Sequence, residues 1–144
     1  MNQRQRAALA NRYQSDGMSV SSPQKLLLAV FDRLVRDLAE AVEAIEGNDV
    51  EVSHRALVHA QDLVHELNLA LEPEVWPAAS ELGSVYQHVL DLLVEANLTK
   101  SVERVKDCQS LVVPLAETWH EAHRNLQQQR LEQAAQTTTP MGRG

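Results

Sequence analysis

Apolar residues recur every three or four positions through residues 78–97, and this spacing limits the fold more than any other feature of the chain. Residues three and four apart share one face of an α-helix, so the spacing predicts an amphipathic helix of about five turns. A second apolar line beside the first, which includes Val85 and Leu92, widens the face that must be buried. Such a helix needs partners on two sides. The first line consists of Leu82, Tyr86, Val89, Leu93 and Ala96.

The same spacing predicts two helices before this one. The first begins at Pro23 with Ser22 as its N-cap, because proline has no N–H and suits the first helical position. It ends at Gly47-Asn48, since these residue types readily adopt the left-handed conformation that closes a helix. Asp49 is the predicted N-cap of the second helix, whose apolar stripe continues to Leu71.

A fourth helix is predicted after residues 78–97. Before the third helix, the two prolines in the run 72–77 disfavour helical geometry, so we expect a loop there. Thr99 is the predicted N-cap of the fourth helix, whose apolar stripe reaches Leu126. Pro114 lies inside that helix and should bend it, because its ring removes a backbone donor.

Four long helices joined by short corners predict an all-α fold. The expected architecture is an antiparallel up-and-down four-helix bundle with an N-terminal extension, and the pattern also leaves room for one extra short helix. We assign residues 22–127 to the bundle domain. Residues 1–21 are expected to form a flexible N-terminal segment and residues 128–144 a disordered C-terminal tail, because both lack an apolar stripe. A chain of 144 residues is long enough for one independent core.

The charge balance argues against nucleic acid and anionic membranes as partners. Thirteen basic and twenty acidic residues give a formal charge of −7, whereas duplex binding depends mainly on neutralising phosphates. No apolar run is long enough to span a membrane and no signal-peptide pattern is present. The single cysteine, Cys108, excludes an internal disulfide and lies on the inner stripe, as expected of a core residue. We therefore expect a cytoplasmic protein without membrane insertion.

No pattern supports catalysis, so we expect neither an enzyme nor a cofactor. The chain has no Gly-x-Ser-x-Gly turn and no Gly-rich phosphate loop. The alternative is a metal-binding bundle, since Asp62-x-x-His65 and Glu117-x-x-His120 have the spacing of di-iron ligands. These residues fall off the inner stripes, however, and Trp119 occupies the inward position of the fourth helix. A solvated helix surface is the preferred interpretation.

The first three helices carry more apolar residues than a bundle core commonly needs. The first helix, for example, has a line at Leu28, Val35 and Val42 beside its core stripe. Such a surplus can form a groove for an amphipathic helix of a partner. It can equally be covered by the N-terminal segment, by the fourth helix or by a second copy in a homodimer. The candidate groove residues are Leu63, Leu67, Ala70, Val85, Val89 and Leu92.

Spaced elements between Tyr13 and Leu126 form a further pattern. An isolated Tyr13 precedes Ser22-Pro23-x-x-Leu26, and Phe31-Asp32 follows within the first helix. The later helices contribute Ala60-Gln61, Glu66-Leu67-Asn68, Val85-Tyr86, Glu95-Ala96-Asn97 and Trp119. Together these elements resemble the FliS family of flagellar secretion chaperones, in which Tyr-Asp is usual at the position of Phe31-Asp32.

The resemblance implies a helical bundle that binds the disordered C-terminal region of flagellin, prevents premature filament assembly and delivers the subunit to the flagellar export gate. It also implies that the N-terminal segment around Tyr13 lies over the binding surface and moves when flagellin arrives. The alternative is that Tyr13 fills a gap at the end of the bundle. The chain departs from the family pattern at Arg33, Trp76-Pro77 and Pro114. These departures concern the shape of the second loop and the geometry of the last helix more than the overall resemblance.

Overall fold

The computed structural model describes residue 4, residues 23–71 and residues 79–138. Within these ranges the chain forms four helices, and no strand is present in them. The helices are α1 (Pro23–Glu46), α2 (Val50–Leu69), α3 (Ala79–Thr99) and α4 (Val102–Thr138).

Each described helix packs against two others. α1 contacts α2 and α4, and α3 contacts the same two helices. With short corners between α1 and α2 and between α3 and α4, this order of neighbours gives an up-and-down four-helix bundle, and the predicted fold class is confirmed. The core receives fully buried side chains from every helix, including Phe31, Leu57, Leu93 and Val105.

The corner between α1 and α2 forms as its residues predict. α1 ends at Glu46, and Asn48 has a φ of 58°, the left-handed conformation that reverses the chain after a helix. The Asp49 carboxylate then accepts a hydrogen bond of 3.2 Å from the backbone N–H of Val52. Asp49 is therefore the N-cap of α2, as predicted, whereas Ser22, the predicted N-cap of α1, lies outside the described residues.

The predicted N-cap at Thr99 is wrong. Thr99 is the last residue of α3, and its hydroxyl donates to the carbonyl oxygen of Glu95 at 2.8 Å. The chain turns at Lys100, which has a φ of 53°. The next helix therefore begins after this left-handed residue. Its N-cap is Ser101, whose hydroxyl oxygen accepts a hydrogen bond of 3.2 Å from the backbone N–H of Arg104.

α4 is longer than the sequence predicts. It runs through Pro114 without interruption and remains helical to Thr138, although the sequence predicts disorder from residue 128. The side chains of residues 128–137 are all exposed, and strong helix formers such as glutamine, glutamate, leucine and alanine maintain the helix without packing. None of the described helices, including α4 with its 37 residues, is long and apolar enough to cross a membrane.

Candidate partner-binding groove

Most of the predicted contact residues lie inside the bundle. Val85 is partly buried against the core, Ala70 is the half-buried C-cap of α2, and Tyr13 lies outside the described residues. The other predicted contact residues are core side chains with at most 7% of their surface exposed, namely Leu63, Leu67, Val89 and Leu92. A partner could contact Leu63 and Val89 only if the helices separated, whereas Leu92 also lines a surface depression between α3 and α4.

The second apolar lines are largely covered by neighbouring helices. On α1, Leu28 is buried, and Val35 and Val42 pack against the core while remaining partly exposed. On α2, Ala56 is also buried. Because each helix of a four-helix bundle faces two neighbours, a second apolar line meets the second neighbour and need not be surplus. The open apolar surface is therefore smaller than the sequence suggests.

One apolar cavity stays open between the beginning of α1 and the middle of α4. Its volume is about 160 Å³. Leu27 and Trp119 pack against the core with their inner parts, whereas Gln24 and Ala122 are exposed, so the cavity opens to solvent. We call it the α1/α4 groove. Its lining residues are Gln24, Leu27, Leu28, Trp119, Ala122, His123 and Leu126.

Helical spacing explains how the groove forms. Leu27 and Leu28 come from the two adjacent apolar lines of α1, while Trp119, Ala122 and Leu126 continue the inner stripe of α4. The sequence pattern places Leu28, Trp119 and Leu126 on apolar lines but does not identify them as a groove. It missed His123, although a residue four positions after Trp119 shares its helical face.

The ring of His123, which lines the groove, contains a buried nitrogen atom. Its Nε2 lies 3.4 Å from the amide nitrogen of Gln127. An amide nitrogen can only donate, so Nε2 accepts and the ring proton lies on Nδ1. Nδ1 is buried and has no hydrogen-bond partner among the described residues. A buried donor without an acceptor costs about 1–3 kcal/mol.

His120 links the same two helices. Its Nε2 lies 2.7 Å from a carboxylate oxygen of Asp32, which joins α4 to α1. Both side chains are solvent-accessible, so the pair contributes at most about 1 kcal/mol to stability.

The residues of the alternative metal site do not come together. Asp62, His65 and Glu117 are exposed, and His120 is bonded to Asp32. In residue 4 and the ranges 23–71 and 79–138, no group of three or more histidine, cysteine, aspartate or glutamate residues is arranged to hold a metal ion. The spacing that suggested a di-iron site therefore corresponds to separate surface positions.

Cys108 is a core residue, as its position on the inner stripe predicts. Its Sγ lies 3.9 Å from the carbonyl oxygen of Val89, and the side chain is fully buried. Burial, with a smaller contribution from Asp107, raises the pKa of the thiol to about 12. The thiol is therefore protonated at neutral pH and is a poor nucleophile.

A second depression, of about 270 Å³, lies between α3 and α4. Arg104 and Asp107 line it and pair with each other at 2.8 Å, while Leu92 contributes an apolar edge. The charged side chains of Arg104 and Asp107 in this depression are thus already paired with each other. The α1/α4 groove differs because its walls are mostly apolar and because Nδ1 of His123 has no hydrogen-bond partner within the described ranges.

Comparison with known proteins identifies the family. The family model described as flagellar protein FliS matches residues 5–126, which is most of the chain. The chain belongs to the FliS family. The match ends at Leu126, the last residue that lines the α1/α4 groove, so this FliS-family region includes the complete groove.

Two curated FliS relatives support the assignment. The chain is 26% identical over 110 residues to the flagellar secretion chaperone FliS of Bacillus subtilis (strain 168), covering 76% of this chain and 82% of that protein. It is 29% identical over 119 residues to the flagellar secretion chaperone FliS of Campylobacter jejuni, covering 80% of this chain and 91% of that protein. The resemblance predicted from the sequence is therefore confirmed, and FliS is a family of chaperones rather than of enzymes.

A solved structure shares the helical-bundle fold. A bacterial flagellar chaperone known from a crystal structure superposes with a TM-score of 0.66 at 16% sequence identity. The alignment covers 83% of this chain and 98% of that chain. At this identity the comparison supports the bundle architecture alone.

Proposed function

We propose that this FliS-family chain is a cytoplasmic flagellar export chaperone that binds the disordered C-terminal region of flagellin. By covering that region it prevents premature polymerisation, and it aids delivery of the subunit to the flagellar export gate. Membership of a family of flagellar secretion chaperones supports the class of partner. The observation that carries the proposal is the open apolar α1/α4 groove on a bundle whose other apolar lines are largely covered.

The groove suits an apolar anchor on an amphipathic helix. Leu27, Trp119 and Leu126 offer partly exposed apolar surface on both helices that form it. Burying one large apolar side chain contributes about 1.5–3 kcal/mol. Ordering an unstructured segment costs about 2–5 kcal/mol, so one anchor alone does not hold it. The flagellin segment must therefore make further contacts along the bundle.

The predicted contact residues have different roles in this proposal. Tyr13, Ala70 and Val85 remain proposed contacts of the extended segment. The core residues Leu63, Leu67, Val89 and Leu92 support the bundle on which the segment lies. Because the affinity is divided among several modest contacts, the complex can be released at the export gate.

A titration tests the proposal. We expect a peptide of the cognate flagellin's C-terminal region to form a stoichiometric complex with the full chain and to gain helicity, measured by calorimetry and circular dichroism. Ala122→Glu places a charge at an exposed position of the groove and should weaken binding at least about tenfold, because a carboxylate is not readily desolvated there. Ala39→Glu, at an exposed position of α1 that does not line the groove, is the matched control.

Two results would contradict the proposal. Absence of binding at micromolar concentrations would remove flagellin as the partner. Equal weakening by Ala122→Glu and Ala39→Glu would remove the α1/α4 groove as the site, because the effect would then follow from added charge alone.

A further inference from the structure

Four of the six exposed large apolar side chains in the described ranges lie on the outer side of α2 and α3, with 38% to 80% of their surface exposed. We call this surface the α2/α3 face, and its residues are Val50 and Val58 on α2 and Val94 and Leu98 on α3. We infer that the α2/α3 face is a second docking surface, which binds a basic amphipathic helix of a partner protein other than flagellin. The inference goes beyond the proposed function, which concerns the α1/α4 groove.

A contact between His54 and Asn97 fixes the register of α2 and α3. Nδ1 of His54 lies 3.0 Å from the side-chain amide nitrogen of Asn97, which donates the hydrogen bond. Val58 comes four positions after His54, and Val94 comes three positions before Asn97. Because α2 and α3 run antiparallel, Val58 and Val94 lie at the same level of the bundle.

The face continues from this level to the end of the bundle. Val50 is eight positions before Val58, which places both on one side of α2 about 12 Å apart. Leu98 lies one turn beyond Val94 on α3. Val50 and Lys100 both line a cavity of about 100 Å³ between the two corners at this end. A partner helix with apolar anchors at i, i+4 and i+7 covers this length.

An acidic border surrounds the face. Glu51 and Asp62 on α2 and Asp91 on α3 are exposed, and they have no ion-pair partner within the described ranges. Asp91 accepts a hydrogen bond only from the neutral amide of Gln87, at 3.1 Å. Such a border attracts a helix whose apolar anchors are flanked by lysine or arginine.

The two basic side chains near the face leave this border acidic. Arg55 comes one turn before His59, which is hydrogen-bonded to α1, so Arg55 lies on the α1 side of α2. Lys100 lies at the end of the face, where its Nζ donates to the side-chain oxygen of Asn97 at 2.5 Å. Neither cation is placed between the exposed carboxylates and solvent.

The same charges disfavour a second copy of the chain as the occupant. A dimer formed through this face would have two-fold symmetry, so the same surface would meet itself. Glu51, Asp62 and Asp91 of one copy would then approach those of the other, and like charges repel.

The position of the face indicates a partner separate from flagellin. α1 packs against α2 and α4, and α3 packs against the same two helices. The α2/α3 face therefore lies on the side of the bundle opposite the α1/α4 groove. A flagellin segment anchored in the groove leaves this face accessible, so both partners can be bound at once.

A designed peptide tests the chemistry of the face. The peptide has about 18 residues, with leucine at helical spacing on one side and lysine at the other positions. We expect it to bind the full chain at micromolar concentration, measured by fluorescence anisotropy. The same peptide with glutamate in place of lysine should bind at least about tenfold more weakly. Absence of binding by the lysine peptide, or equal binding by both peptides, would overturn the inference.

Val94→Lys tests the location of the binding. Val94 is 45% exposed, so lysine can be accommodated and the melting temperature should not change. The new cation should weaken binding of the lysine peptide at least about tenfold. Leu131→Lys is the matched control, because it makes the same change of charge at an exposed leucine of α4, and it should bind as the wild type does. Equal affinities of the two variants would overturn the inference.

Competition with the flagellin peptide tests whether the partner is separate. We expect the lysine peptide and the flagellin peptide to bind the full chain together, whereas displacement of one by the other would assign the face to flagellin and overturn the inference. If the flagellin peptide does not bind but the lysine peptide shows both preferences, the proposed function fails while the inference stands. A concentration-dependent dimer in sedimentation velocity that Val94→Lys alone abolishes would identify a second copy as the occupant, and would also overturn the inference.

Discussion

Asp37 of α1 and His59 of α2 are hydrogen-bonded to each other between the two helices. Only 2% of Asp37 is exposed, and Arg33 also donates to its carboxylate at 3.3 Å. Burial raises the pKa of Asp37 above its ordinary value of 3.8, although His59 and Arg33 act in the opposite direction. The α1–α2 interface thus contains a carboxylate whose charged form is disfavoured by folding.

The raised pKa predicts a specific pH dependence of stability. Well below pH 3.8 Asp37 is protonated in both the folded and the unfolded chain. As the pH rises, the unfolded chain loses this proton first, so the wild type becomes less stable relative to Asp37→Asn until the folded pKa is passed. Urea unfolding of both proteins from below pH 3.8 to neutrality measures the difference. Asp62→Asn, on the exposed side of α2, is the control for the loss of one carboxylate, and a constant difference for Asp37→Asn would contradict the prediction.

Replacement of Leu63 distinguishes a core role from a surface role. Leu63 has 0% of its surface exposed, so Leu63→Ala should lower the free energy of unfolding by about 2–5 kcal/mol. Leu131→Ala, at a residue with 66% exposure, should change it by less than about 0.5 kcal/mol. Urea denaturation measures both. A small loss of stability in Leu63→Ala combined with loss of peptide binding would instead place Leu63 at the partner surface.

The corner between α3 and α4 predicts unequal effects of two similar substitutions. Ser101→Ala removes the acceptor for the N–H of Arg104 and should cost about 1 kcal/mol. Thr99→Ala removes only a hydroxyl bonded to a carbonyl of its own helix, so its cost should be about 0.5 kcal/mol or less. Thermal unfolding of the two variants shows which substitution lowers stability more. The reverse order would restore Thr99 as the cap.

Cys108 predicts slow thiol chemistry in the native protein. A rise in pKa from the ordinary 9.0 to about 12 lowers the thiolate fraction at neutral pH about 1000-fold, and burial also blocks the reagent. We expect a disulfide reagent to modify Cys108 only at the rate at which the bundle opens, and rapidly in urea. The absorbance of the released thiolate follows the reaction. Rapid modification of the native chain would contradict the buried position.

Local sequence rules were sufficient for the fold. The spacing of apolar residues and the Asp49 cap act within one helix or one turn, so they can be recognised without knowing the neighbours. Thr99 was misassigned because serine and threonine are both good caps, and the left-handed turn at Lys100 decides between them. The sequence does not predict the helix beyond Leu126, because an apolar stripe indicates where a helix packs and an exposed helix needs no such stripe.

The candidate site was less predictable because it depends on the relative positions of helices. Periodicity places Leu28 and Leu63 at angles around their own helix axes, but it does not say which neighbouring helix covers each angle. The unpartnered Nδ1 of His123 depends on everything within hydrogen-bond distance of one atom. The pairing of Asp37 with His59 likewise requires the register between α1 and α2. Sequence patterns therefore identified the apolar lines but not the groove between them.

The exposed end of α4 provides a convenient attachment site for spectroscopic labels. Residues 128–137 are helical and solvent-exposed, and Thr137 lies about 16 Å along the axis from Leu126. A fluorophore introduced at Gln133 would lie near enough to the α1/α4 groove to report an arriving ligand through energy transfer. The only cysteine is buried, so a thiol engineered there can be labelled selectively.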